Sequence, residues 1–159
     1  MYGEHVIRAY ASALEQAPKE STRMLLESLD IALQVTSPNT WISPLVKTGL
    51  AQKACHIIDD PKTGGPELAA YDAFLARVIL REPTAFATFV TAYAQTQVTA
   101  NAVAKQLELT IDAMWRAYEY VGDAKRRKMV AMAFANLLLL VSKLVSTSRF
   151  TNIDLEVDA

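Results

Sequence analysis

The chain has 159 residues, sixteen Lys+Arg against seventeen Asp+Glu, and a formal net charge of -1. That length suits one domain with a single core, and the charge balance excludes an overall basic field for holding nucleic acid. Its one cysteine, Cys55, excludes an internal disulfide framework and fits a reducing compartment. Hydrophobic residues make up 52% and charged residues 21%, which points to elements buried on more than one face. Five glycines and six prolines leave little material for a sheet-and-turn protein. The opening "MYGEHVIRAY" lacks a basic region followed by an apolar one, so no secretory signal is read there.

Apolar spacing is helical along nearly the whole chain. Val6, Tyr10, Ala13, Leu14 and Ala17 form a short stripe, which Pro18 ends. Leu25, Leu29, Ala32 and Leu33 predict a helix over 20–36, and "SPNT" (37–40) is a turn cluster. Ile42, Leu45, Val46, Leu50, Ala54, Ile57 and Ile58 predict a third helix, with Pro44 in its first turn, where proline is tolerated. "DDPKTGGP" (59–66) is the clearest loop and the boundary between structural units, its core at 61–66.

The second half begins there. Leu68, Tyr71, Leu75, Val78 and Ile79 predict a helix from Glu67 to Arg81, and Glu82-Pro83-Thr84 interrupts it. Phe86, Phe89, Val90 and Tyr93 continue at the same period, and Val103, Leu107, Ile111, Met114, Tyr118 and Val121 form a longer stripe. Gly122 suits a helix end and Asp123 the cap of the next helix, which is expected from Ala124 to about Leu144. Residues 145–159 read as a tail, either disordered or the start of a further element, with "NIDLEVD" (152–158) readable as a strand.

The expectation is therefore an all-α protein of seven or eight helices, either a HEAT-repeat-type solenoid segment or a helical bundle. Tetratricopeptide and ankyrin signatures are absent, whereas units of about forty residues fit 20–58, 67–95 and 100–144. Residues 1–60 form the first helix pairs and 67–144 the second group. The expected core includes Tyr71, Leu75, Phe86, Phe89, Trp115, Tyr118, Met129, Ala133 and Leu137.

The most distinctive segment is Lys125-Arg126-Arg127-Lys128, which opens the last helix. A localisation signal or nucleic-acid patch fits four consecutive bases, but such signals act when extended, and these open a helix. A tail anchor fails on length. About 14 residues from Met129 to Ser142 rise only ~21 Å as a helix, against a hydrocarbon core of about 30 Å. The remaining reading is a helix that packs through Met129, Met132, Ala133, Leu137, Leu140 and Leu144, with Val130, Phe134, Leu138 and Val141 covered by a neighbour. Its bases either pair with acids such as Glu119 or contact an acidic partner through Lys125, Arg126, Arg127 and Lys128.

"ELAAYDAFLARVILREPTAFATFV" (67–90) and "MWRAYEYVGDAKRRKMVAMAFANLL" (114–138) together resemble the C-terminal HEAT repeats of importin-beta-superfamily transport receptors, nearest the importin-eleven branch. Tyr71, Arg77, Val78, Leu80, Phe86, Trp115, Arg126, Arg127, Lys128, Ala133 and Leu137–Leu138 carry the pattern, which covers 67–140. The resemblance implies a segment of a nucleocytoplasmic transport receptor found in nucleus and cytoplasm. It implies a cargo protein as partner, and Ran GTPase bound through repeats absent from this chain. It also implies cargo contact or superhelix rigidity as the role, with no membrane, no direct nucleic acid, no cofactor and no metal.

Signs of catalysis are few. Cys55 and His56 are adjacent and diverge by about 100° on a helix, so they cannot form a nucleophile–base pair. His56, Asp59 and Asp60 have the spacing to hold a metal, but a histidine in a last helical turn followed by Asp-Asp-Pro is accounted for by the helix dipole and a turn. No Gly-rich phosphate loop, Gly-x-Ser-x-Gly or Cys-x-x-Cys is present. The alternative to the transport receptor is a freestanding helical-bundle adaptor that binds an acidic peptide or helix. A segment cut from a stack exposes apolar end faces, so this chain alone should self-associate. Light scattering at high micromolar concentration checks this, and a clean monomer would count against it.

Overall fold

The computed structural model describes the backbone of residues 2–97 and 103–157, and the side chains of 3–97, 103–143 and 146. Eight α-helices follow one another among the described residues, with no strand: α1 (Tyr2–Gln16), α2 (Lys19–Val35), α3 (Ile42–Lys47), α4 (Leu50–Asp59), α5 (Gly65–Arg81), α6 (Pro83–Ala94), α7 (Val103–Ala117) and α8 (Ala124–Val157). Short 3-10 turns at Pro38–Thr40 and Tyr118–Tyr120 precede α3 and follow α7. Pro18 is extended, with φ -60° and ψ 152°, and sets the start of α2. Pro83 opens α6, where its missing N–H costs nothing. Residues 98–102, between α6 and α7, lie outside the described residues.

Two elements depart from the sequence reading. The single helix expected over 42–58 is two, because Gly49 takes a left-handed φ of 78° and the Thr48 hydroxyl donates to the Pro44 carbonyl at 2.9 Å. A side chain at position 49 would be strained there, so the break needs the glycine. The last helix does not stop near Leu144. Its backbone stays helical to Val157, which replaces the tail and the strand expected after 145.

α5 holds the arrangement together, packing against α2 on one side and α8 on the other. Lys19 meets Glu67 at 3.5 Å, Arg77 meets Asp30 at 2.5 Å, and Arg81 donates to the Leu33 and Thr36 carbonyls at 3.1 and 2.9 Å. These links climb both helices in the same direction, so α2 and α5 run parallel. Tyr120, just before α8, lies on Gly65 at the start of α5, where a Cβ would come within 2.5 Å of the ring. A second row, α4, α6 and α7, packs together beneath, and α1 and α3 close the α2 end. An up-and-down bundle pairs consecutive helices antiparallel in its closest contacts. Here closely packed α2 and α5 are separated in sequence by two intervening helices and run parallel, which is the geometry of stacked helix pairs.

The core is one continuous cluster from Ile7 to Leu137. Tyr71, Leu75, Phe86, Phe89, Ala133 and Leu137 are buried, while Tyr118 and Met129 are half-buried against the cluster. Trp41 is buried as well. Trp115 is not core: it is 61% exposed. The buried line of α7 is Gln106, Thr110, Ala113, Met114 and Ala117, and position 115 faces away from it. Trp115 instead stacks on Tyr118 with centroids 5.9 Å apart and meets Phe134 edge-on at 5.3 Å. On α8 the inward line is Val130, Ala133 and Leu137, whereas Met132, Leu138 and Val141 are exposed and Leu144 lies outside the described side chains. No helix among the described residues is long and apolar enough to cross a membrane.

Asp72, in the middle of α5, is fully buried, and neither carboxyl oxygen has a hydrogen-bond partner among the described residues. Burial alone pushes its pKa up to about 8. The unfolded chain releases this proton near 4 and the folded chain near 8, so the group's contribution is fully present below about pH 4 and is lost as pH rises toward 8. The unfolding free energy of wild type from denaturant titrations should therefore fall between pH 5 and 8 relative to Asp72→Asn, by an amount on the order of a few kcal/mol. Parallel pH profiles for the two proteins would refute this account.

Candidate protein-binding groove

The basic cluster becomes legible once the start of α8 is placed. Asp123 accepts from the Arg126 backbone N–H through Oδ1 at 3.0 Å, and its carbonyl accepts from Arg127 N–H at 2.9 Å. The N–H of Arg126 holds the Asp123 carboxyl below its ordinary pKa. Asp123 therefore caps the helix as its position predicts, and offsets the cost of four cations in a first turn.

Those four cations do three different things. Arg126 reaches over α5 to Glu27 on α2, not to Glu119. Arg23 donates to the same Glu27 carboxylate at 2.7 Å, and the two guanidiniums, Arg23 first, pull the Glu27 pKa down. Arg127 lies 4.9 Å above the Tyr118 ring centroid, a cation–π contact. Lys125 and Lys128 are exposed and have no partner among the described residues.

Around them is a groove of about 470 Å³, walled by α2 and the start of α8 and floored by α5. Small residues, Ala70 and Ala73, keep the floor low beside Phe74. Asp30 is engaged by Arg77 and by Gln34 Nε2 at 2.9 Å. Sequence reasoning pointed to the α8 side of this groove and missed the α2 wall. Arg23 and Glu27 carried only an i, i+4 spacing, and nothing in the linear order brings Glu27 to Arg126, ninety-nine residues on.

The other titratable cluster is structural. Asp59 accepts from Gln106 Nε2 at 2.7 Å, and burial raises its pKa despite that bond. Burial first, then the nearby Asp59 charge, pushes the Cys55 thiol up to about 12, which leaves it protonated and a poor nucleophile. His56 sits 6.4 Å from the Tyr93 ring centroid. No group of three His, Cys, Asp or Glu among the described residues could hold a metal ion, so His56, Asp59 and Asp60 do not converge into a site.

The two rows of helices and the groove across the first of them define an all-α helical-repeat segment. A family model described as "Importin-11-like, TPR repeats" matches residues 1–153. The chain belongs to that importin-11-like repeat family, within the importin-beta superfamily. No curated protein and no solved structure matches it. The family description types the repeats as TPR where the sequence spacing suggested HEAT; both are stacks of helix pairs, and the parallel α2–α5 packing is common to them.

The division of labour within the cluster is measurable. Arg126→Ala should lower stability by on the order of 1 kcal/mol, since it unties α8 from α2 at a partly exposed site. Lys125→Ala and Lys128→Ala should stay within about 0.5 kcal/mol of wild type. Thermal melts of the three variants check this, and equal losses across all three would contradict the assignment.

Proposed function

We propose that this chain is a C-terminal segment of a nuclear transport receptor, serving as a protein-binding and scaffolding stretch in nucleocytoplasmic import. The observation that carries the reading is the family match over residues 1–153. The parallel row of helices supports it, because stacked pairs present a continuous surface suited to a protein partner. Cargo is the direct partner in this reading. Ran GTPase binds through repeats outside this chain, and the receptor moves between nucleus and cytoplasm. In this reading the segment performs no chemistry, which the burial of Cys55 and its protonated thiol support.

The test uses the full receptor that carries this segment, fluorescently labelled, in permeabilised cells. It should enter nuclei and bind Ran-GTP. Removing residues 1–153 should leave Ran-GTP binding unchanged and reduce cargo import several-fold. Undiminished cargo import without the segment, or exclusion of the intact receptor from nuclei, would overturn the reading.

A further inference from the structure

We propose that the groove between α2 and α8 seats an acidic amphipathic helix of about three turns, its carboxylates meeting Lys125 and Lys128. This rests on the reading of the chain as a protein-binding segment and names the kind of partner one surface takes.

Charge accounts for the sign. Every carboxylate on the groove wall is already engaged: Glu27 by Arg23 and Arg126, Asp30 by Arg77, and Asp123 by the α8 backbone. Arg23, Arg77 and Arg126 are each held by one of these carboxylates, and with the two lysines the groove carries five cations against three carboxylates, an excess of two positive charges. The charges left unpartnered at the groove among the described residues are Lys125 and Lys128, both positive, in a chain whose net charge is -1. The local excess is therefore opposite in sign to the whole protein, and it selects acids.

Length and chemistry account for the helix. The α2 wall runs from Arg23 to Gln34, which rises ~16 Å, about three helical turns. Apolar side chains stand open along both walls, Ile31 at 63% exposure and Met132 at 50%, above the alanine floor. Methionine adapts its shape to an incoming apolar side chain. Both walls are helices whose backbone groups bond internally, so an extended peptide would find no ladder of partners for its own N–H and C=O groups. A helix satisfies those groups itself and offers an apolar stripe to the floor with acids at its edges.

The test uses fluorescence anisotropy with the whole chain. The probe is a labelled peptide of about sixteen residues, with leucine at helical spacing and glutamate elsewhere. Its lysine counterpart and a single-stranded RNA of similar charge serve as comparisons. The glutamate peptide should bind at least about tenfold more tightly than the lysine peptide, each surface ion pair contributing a few-fold. Lys125→Glu combined with Lys128→Glu should weaken the glutamate peptide by about tenfold and leave the melting temperature unchanged, since neither lysine is paired in the fold. Ala73→Trp, which fills the floor, should weaken it as well.

Equal binding of the two peptides, no binding, indifference to the double variant, or RNA bound as tightly as the acidic peptide would each overturn the proposal. The unaltered full receptor separates the two readings. Nuclear entry and Ran-GTP binding that persist in a receptor to which the glutamate peptide does not bind would sink the groove alone. Failure of the unaltered receptor to enter nuclei would sink the transport reading.

Discussion

α5 has almost no face left for water, and the other helices are arranged by that constraint. Ala70, Tyr71, Asp72, Phe74, Leu75, Ala76, Val78 and Ile79 are all buried, which covers about two-thirds of the circumference of the helix, and the half-buried Ala73, Arg77 and Leu80 occupy the rest. A helix with so wide a buried face must be packed on several sides. α2 and α8 flank it, and α4, α6 and α7 lie under it. The alanines on its remaining side bring the flanking helices close enough for Arg126 to reach Glu27. The central helix thus sets both the row and the groove above it. The isolated carboxyl of Asp72 is the exception in this core, tolerated because it is held neutral there.

The basic cluster shows how four similar residues part ways once a fold surrounds them. Arginine is chosen where a planar group must join two helices or lie on an aromatic ring, and lysine where the ammonium stays in water. Arg126 belongs to the architecture and Arg127 to the aromatic group of Tyr118, Trp115 and Phe134. Only the two outer lysines remain available to another molecule. A run of four consecutive charges in sequence is in this sense two separate features.

Helix content and most helix starts were legible because proline, glycine and a capping aspartate punctuate a strong apolar period. Pro18, Pro83 and Asp123 all act where the sequence places them. The Gly49 break was not legible, since a glycine inside a helical period is compatible with both a weak point and an end. Trp115 was misplaced because a large aromatic is usually buried, and only the line of small residues around Ala113 and Ala117 shows that the inner face lies elsewhere. On α8, Ala133 and Leu137 lie on the inner line as the spacing predicts, whereas Val130 joins them and Met132 stands outside. Family likeness was legible over 67–140, where aromatic and basic positions are distinctive, and the family match extends it to 1–153. Of the groove, one wall could be read from sequence. The other wall depends on contacts between residues far apart in the chain, which local patterning does not encode.

Cys55 is the one sulfhydryl of this chain, and it is completely enclosed by α4 and its neighbours. Alkylating reagents and oxidants in the surrounding solution do not reach it while the molecule stays folded. A cysteine introduced on the exterior would therefore be the sole attachment point for a dye or a cross-linker, with no need to remove the natural one first. The same enclosure means that covalent links between copies under oxidising conditions would report unfolding, not association of the native form.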